Sequence, residues 1–401
     1  MIIYYDSKEN VWFHTHLNHQ YTLGLETDLL SYRKKPSPSS IPFHVHCRGG
    51  SNLGPVVAIL TGRNHNQSLT GNRTLFKKLQ SSIHDFGGIA VVTTPDDLLE
   101  HGMRGFVYHS NQKCWIDVLI PNPHIVYNRI PSRRMERSEK FKDTLETIKN
   151  RGICFFNPSF LNKYELYTLF KDHQILQAYF PETIEIQDPL PLKEFLDKHI
   201  SLYIKPSNAS KGKGIFKIKL EEDSSITYHS LKKTMHFHEF NAFWNHHQKK
   251  FRKKNHIAQR EISPLLYNGK RFDFRILSHF NGSEYVVTGI GIRQSGEQNI
   301  TTHIPTGGKL LDLTEVYRPE DDQFIQKVVK HCGEYLTDKL GFFGEFSIDA
   351  GITEDHDYVI YEINSKPMSF DEEDIENNRI NQLVLLFKSI FECFSFPDEV
   401  Q

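Results

Sequence analysis

At 401 residues the chain has room for roughly two to three domains. Apolar residues make up 38% and aromatic residues 12%, enough to bury a core, which excludes a wholly disordered chain. Lys plus Arg number 48 against 49 Asp plus Glu, and a net charge of -1 argues against a protein built on non-specific nucleic-acid or membrane-surface binding. No apolar run approaches the ~20 residues that span a bilayer. The start, Met1-Ile2-Ile3-Tyr4-Tyr5-Asp6, lacks a basic region followed by an apolar stretch, so no secretory signal is expected. The cysteines Cys47, Cys114, Cys154, Cys332 and Cys393 are scattered and odd in number, which fits reduced thiols in a cytoplasm.

Residues 1–50 read as a β-rich segment with a turn at Lys35-Pro36-Ser37-Pro38-Ser39-Ser40. His14, His16, His44, His46 and Cys47 are zinc-type donors, but no CxxC or HxxxH spacing supports a metal. The pairs His14/His16 and His44/His46 fit one face of a strand instead. Residues 51–150 read as a small α/β unit with parallel strands. Its apolar runs are Pro55–Gly62, Gly88–Pro95, Phe106–Tyr108 and His124–Asn128, with a helix over Thr74–Phe86. The Gly62 and Gly71 loops form no dinucleotide fingerprint. A further helix is predicted over Glu136–Asn150, carrying Phe141, Leu145 and Ile148 and stopping at Gly152.

Residues 151–401 hold the chemistry. Leu202–Pro206 and Ile215–Leu220 read as strands joined by Ser207-Asn208-Ala209-Ser210-Lys211-Gly212-Lys213-Gly214. This is no Walker A loop, yet small residues between two strands can lay backbone N–H groups over phosphate oxygens. Lys205 at the strand end can add a point charge. Taken alone, the segment fits a phosphate loop or a flexible basic hairpin tip. Further on, Phe346-Ser347-Ile348-Asp349 and Tyr358–Asn364 both alternate, so Asp349 shares a face with Ser347, and Glu362 shares one with Asn364. A turn at Thr353–Asp357 brings Asp349 opposite or nearly opposite Glu362. Three hard oxygen donors then converge, as one or two Mg²⁺ ions require. The alternative is a solvated strand face with incidental acids. Phe240, Phe243, Trp244, His247 and Phe251 form a core-facing helical stripe, closed by the basic run Lys249–Lys254. Ile380, Val384, Phe387, Ile390, Phe391 and Phe394 form a C-terminal packing helix, with Asp371–Asp374 as its solvated acidic cap.

In this order, Phe180-Pro181-Glu182-Thr183, Tyr203-Ile204-Lys205-Pro206, Arg271-Phe272-Asp273-Phe274-Arg275 and Glu362-Ile363-Asn364-Ser365-Lys366-Pro367 resemble the YheC/YheD family, the endospore coat-associated ATP-grasp proteins of spore-forming bacilli. The resemblance covers about residues 120 to 395. It implies an α/β (α+β) ATP-grasp fold over residues 151–401 in two subdomains, hinged near 259–262. A smaller α/β pre-ATP-grasp domain at 51–150 and the segment 1–50 would precede it.

The resemblance also implies roles. Lys163 and Lys205 would bind ATP, together with Ser210, Lys211, Gly212, Lys213 and Gly214 of the loop. The hinge Gln259, Arg260, Glu261 and Ile262 would read the adenine edge. Asp349, Glu362 and Asn364 would hold two Mg²⁺ ions, with Glu362 between them. Arg275 and Arg293, with Asn299 beside them, would hold the transferring phosphoryl group and the acceptor carboxylate. Ala209 departs from the pattern, standing where the loop often has glycine. The reaction implied joins a small carboxylate, amino acid or peptide to an amine or thiol through an acylphosphate. The location implied is the mother-cell cytoplasm in association with the endospore coat, with coat proteins as partners and neither nucleic acid nor membrane. A second reading is a non-catalytic, ATP-binding or structural coat component.

Overall fold

The computed structural model describes residues 1–110, 112–208, 214–296 and 307–393. Ala209, Ser210, Lys211, Gly212, Lys213, Asn299 and Phe394 therefore lie outside the described residues. The first 54 residues build two small sheets. One is ordered Ser31–Tyr32, Val11–His14, Ile2–Asp6, Ser40–His44, and the other Thr22–Leu23, Asn52–Gly54, His46–Arg48. The expected turn before Ser40 is tied to Asp6, whose carboxylate accepts from Ser37 Oγ at 2.9 Å and Ser39 Oγ at 3.1 Å. The paired histidine faces do not form. One strand ends at His14, and His44 and His46 fall in different sheets. Among the described residues, no three His, Cys, Asp or Glu side chains gather as metal ligands.

The apolar runs that follow are buried on both faces. A sheet is ordered Cys114–Ile120, Met103–His109, Ile89–Thr93, Val56–Leu60, Ile125–Asn128, Cys154–Phe156, and its last four strands are parallel. The two outer strands, Met103–His109 and Cys114–Ile120, run antiparallel. Side chains alternate across it. Val57, Ile59 and Val92 pack under the helix Arg73–Phe86, while Val56, Ala58 and Leu60 pack against the N-terminal strands. The expected helix over Glu136–Asn150 forms as Glu139–Asn150, starting three residues later, after a separate short helix Arg133–Glu136. Ser138 interrupts them because its hydroxyl caps the second, accepting from the Phe141 N–H at 3.3 Å.

Two further sheets face each other across a cleft. The first is antiparallel, ordered Thr183–Ile186, His256–Arg260, Ser201–Pro206, Phe216–Leu220, Ile226–Ser230, Thr234–Phe237. The helices Pro189–His199 and Phe240–Lys253 cover it, and the aromatic stripe of the second is buried as expected. The second sheet is ordered Lys309–Leu311, Tyr285–Gln294, Lys270–Phe280, Glu345–Ile352, Tyr358–Asn364. It is backed by the helix Pro319–Leu340 through Ile325, Val328, Val329 and Leu336. The C-terminal helix Glu373–Cys393 bridges this sheet and the parallel sheet, with Leu383 and Phe387 packed against Tyr127 and Phe156. Among the described residues no helix is long and apolar enough to cross a membrane.

Candidate nucleotide and metal site

The cleft forms where the strands Ser201–Pro206 and His256–Arg260 face the end of Tyr358–Asn364. Leu161, Leu166, Tyr167, Phe180, Ile257 and Ile363 give it apolar walls, and Lys163, Lys205, Gln259 and Glu362 supply polar groups. An apolar slot with a few convergent charges suits a flat heteroaromatic ring attached to phosphates. Lys163 enters on the first turn of the helix Lys163–Phe170, capped by Asn162, whose Oδ1 accepts from the Tyr164 N–H at 2.9 Å. Its Nζ lies 2.5 Å from Glu362 Oε1. Lys205 Nζ donates to Gln259 Oε1 at 2.6 Å, and Gln259 Nε2 donates to Thr183 Oγ1 at 3.0 Å. Loss of water, then the nearby Lys163 charge, pushes the Lys205 ammonium down to about 8. Gly214, after the loop, has φ +79, and a Cβ there would come within 3.1 Å of the Pro206 ring. Glycine is needed at that closing corner.

The hinge residues divide. Gln259 lies in register with both Thr183 and Tyr203 and turns its side chain to Lys205. Arg260 is exposed and lines a separate groove with Lys171, Glu182 and His199. Glu261 pairs with Lys217 Nζ at 2.7 Å. Ile262 follows where the chain leaves this sheet, and by Leu265 it bonds to Ile352 of the other.

Asp349 pairs with Glu362 and Ser347 with Asn364. A bulge after Asp349 makes this pairing possible. Beyond it Ala350 pairs with Ile360, so Tyr361 is the extra residue and Glu362 takes the position opposite Asp349. Asn364 Nδ2 donates to Asp349 Oδ2 at 3.5 Å. Burial lifts the Asp349 carboxyl to about 6; the Arg275 guanidinium opposes the shift and the Glu362 carboxylate reinforces it. Two carboxyls and an amide on one sheet face, with Glu362 lining the cleft, form a donor set that fits Mg²⁺. That ion takes oxygen ligands and usually completes its octahedron with phosphates and water.

Arg275 lies in register with Asp349 on the adjacent strand, and Arg293 lies in register with Asp273 one strand farther from the acids. Arg275 Nη2 donates to the Met368 carbonyl at 3.0 Å, and its guanidinium sits 4.6 Å from the Phe370 ring centre. Arg293 Nη2 meets Asp371 Oδ2 at 2.9 Å. Asp371 is exposed, and Glu373 and Asp374 stand in the first turn of the helix, as expected; in addition, Asp371 pairs with Arg293. The helix starts at Glu373, and Asp371 turns back to a buried cation.

A second charged cluster, which the sequence reading missed, holds the loop after the acids. Glu345 is fully buried and meets Arg379 Nε and Nη2 and Arg129 Nη1, each at 2.8 Å, with the Tyr127 hydroxyl as a further donor. Burial alone would raise the Glu345 carboxyl, but Arg379 and Arg129 bring it down to about 2. Arg129 and Arg379 also donate to the Pro367 carbonyl at 2.8 and 3.2 Å. Lys366 is buried against Glu136, which also accepts from Asn128 Nδ2 at 3.2 Å and the Phe160 N–H at 3.0 Å. The sequence Ser365-Lys366-Pro367 is thus clamped to the parallel sheet and the C-terminal helix. The available signal was an acid placed two and four residues before Ser347 and Asp349 in one alternating strand.

Residues 152–389 match the YheC/D-like ATP-grasp family. The chain belongs to that family. It is 26% identical to the endospore coat-associated protein YheD of Bacillus subtilis over 332 residues, 79% of this chain and 73% of YheD. It is 23% identical to YheC of the same organism over 303 residues, 71% of this chain and 82% of YheC. Among solved structures it is similar to D-alanyl-alanine synthetase A from Vibrio cholerae, with a TM-score of 0.51 and 10% identity. That match covers 84% of this chain and 99% of the synthetase. The VanG D-Ala:D-Ser ligase from Enterococcus faecalis gives a TM-score of 0.50 at 13% identity over 84% of this chain and 98% of the ligase. At such identities the likeness concerns the fold, and the fold is the α/β ATP-grasp expected from the motifs.

Proposed function

We propose that this YheC/D-like protein is an ATP- and Mg²⁺-dependent ligase that activates a carboxylate as an acylphosphate and passes the acyl group to an amine or thiol. One observation carries the reading: Asp349, Glu362 and Asn364 share one sheet face, and Glu362 lines a single cleft with Lys163 and Lys205. Bound Mg²⁺ would neutralise phosphate charge and fix the phosphate oxygens in line. The chain's own residues do the rest. Lys205 and Lys163 bind and orient the phosphates, and the walls around Phe180 and Ile257 hold the base and exclude water. Arg275 lies beside Asp349, where it steadies the charge that spreads over the transferring phosphoryl group. A carboxylate oxygen attacks the γ-phosphorus, the bond to the β-phosphate oxygen breaks and ADP leaves. The amine nitrogen or thiol sulfur then attacks the acyl carbon, phosphate departs with the bonding pair, and the nucleophile loses its proton to water. By analogy with its named relatives, the protein would work in the mother cell, in association with the endospore coat.

ADP release from purified protein, measured with a panel of amino acids and short peptides, tests this reading. The expected result is acceptor-dependent release, reduced about a hundredfold or more in Arg275→Ala. A non-catalytic coat component has one observation in its favour: Arg293 is already paired with Asp371, and Arg275 with Met368. Nucleotide binding without release for any acceptor in the panel would favour it.

A further inference from the structure

Two cations from the parallel-sheet side of the molecule contact residues next to the cleft. Arg133, on the helix Arg133–Glu136, donates from Nη2 to the Leu161 carbonyl at 2.7 Å and lies 4.9 Å from the Phe160 ring centre. Leu161 is a cleft wall, two residues before Lys163. The carboxylates of Glu136, Glu362 and Glu165 act on Arg133, in that order, without forming an ion pair with it. Arg137 caps the same helix and donates from Nη2 to Asn208 Oδ1 at 3.5 Å; Asn162 Nδ2 reaches that oxygen at 3.1 Å. Asn208 lies three residues after Lys205, and Asn162 caps the helix that carries Lys163. The two arginines therefore sit at the ends of the elements that present the two lysines. Among the described residues neither pairs with a carboxylate. The acid on their own helix, Glu136, is taken by Lys366, Asn128 and Phe160. Two guanidiniums that form no ion pair, beside the elements that present Lys163 and Lys205, offer donors next to a site read as holding a polyphosphate. A guanidinium fork matches phosphate oxygens in geometry as well as charge.

We propose that Arg133 and Arg137 form a phosphate subsite, supplied from outside the two grasp sheets, that binds the outermost phosphate of the nucleotide. The proposal rests on the nucleotide reading of the cleft. Such a subsite acts on the one phosphate that ATP has and ADP lacks. It sets the preference for triphosphate over diphosphate, and it couples the parallel-sheet half of the molecule to the phosphoryl group that is transferred.

The test is calorimetric titration of the full chain with ADP and with the non-hydrolysable analogue AMPPNP, each with Mg²⁺, for wild type, Arg133→Ala, Arg137→Ala and the double variant. ADP binding serves as the check that each variant keeps its fold and its base pocket. ADP affinity is expected to stay within about twofold of wild type. AMPPNP affinity should fall about tenfold to a hundredfold in the double variant, the usual loss for charge-assisted hydrogen bonds. Arg137→Lys should recover part of it. An equal loss for both nucleotides would make the arginines structural and overturn the proposal, as would unchanged binding of both. A wild type that binds neither nucleotide would refute the cleft reading itself, a result distinct from either of these.

Discussion

Lys205 illustrates how one residue's surroundings set its chemistry. Its ammonium is desolvated in the cleft, neighbours Lys163, and is held by a neutral amide, Gln259, instead of a carboxylate. Its folded pKa of about 8 lies below the free value of 10.5, so the fold binds this proton less tightly than the unfolded chain does. Folding therefore carries a cost below pH 8 that is relieved as pH rises towards 10.5. A phosphate ligand feels the opposite trend, because the attractive charge disappears above about 8. Affinity for AMPPNP should fall by up to about tenfold between pH 7 and pH 9. In Lys205→Arg the charge persists and the profile should be flat. Titrations at the two pH values check this, and a flat wild-type profile would contradict it. The facing pair of Asp349 and Glu362 was legible because strands alternate and the intervening turn is short. The bulge that sets their register was not, since one extra residue in an apolar strand leaves no mark in composition. The pairing of Asp371 was also opaque: its partner Arg293 lies 78 residues away in sequence.

At the scale of elements, the C-terminal helix shows what periodicity reads and what it misses. Ile380, Val384, Phe387 and Phe391 are buried, as their spacing predicts. Arg379, inside the same stripe, is also fully buried, and a cation there would ordinarily be assigned to solvent. Its function is to balance Glu345 and, with Arg129, to grip Pro367 just after the metal-type ligands. Breaking a buried pair by removing one partner leaves a stranded charge. Arg379→Met should therefore cost about 3–5 kcal/mol in urea unfolding, and replacing the whole cluster, with Glu345→Met and Arg129→Met added, should recover much of it. The Glu345 carboxyl is held down to about 2, so its share of the stability is complete above the free value of 4.5 and lost as pH falls towards 2. The cost of Arg379→Met should accordingly shrink over that window. A single variant that loses less than about 1 kcal/mol at pH 7 would argue against the clamp. The helix expected over Glu136–Asn150 starts at Glu139 for a local reason: Ser138 is a better cap than a helix interior residue.

Across the whole molecule, order in the chain was more informative than any single motif. Short strands with a basic loop, then an Arg-x-Asp-x-Arg strand, then acids and an amide on a hairpin pointed together to an ATP-grasp fold, and the fold bears that out. What the sequence left dark is the interplay between halves. The parallel sheet lends the C-terminal sheet a bed for its last helix, a clamp on its acidic loop and, by our proposal, two arginines beside the cleft. Such contacts join residues separated by up to several hundred positions and depend on packing, which local patterns do not encode. The central claim is that the cleft binds a nucleotide through a cation held by Asp349, Glu362 and Asn364. Calorimetric titration with AMPPNP, with and without Mg²⁺, beside Glu362→Ala tests it most directly. The account predicts binding that requires Mg²⁺ and is lost in the variant. Wild-type affinity that is indifferent to both Mg²⁺ and Glu362 would contradict it.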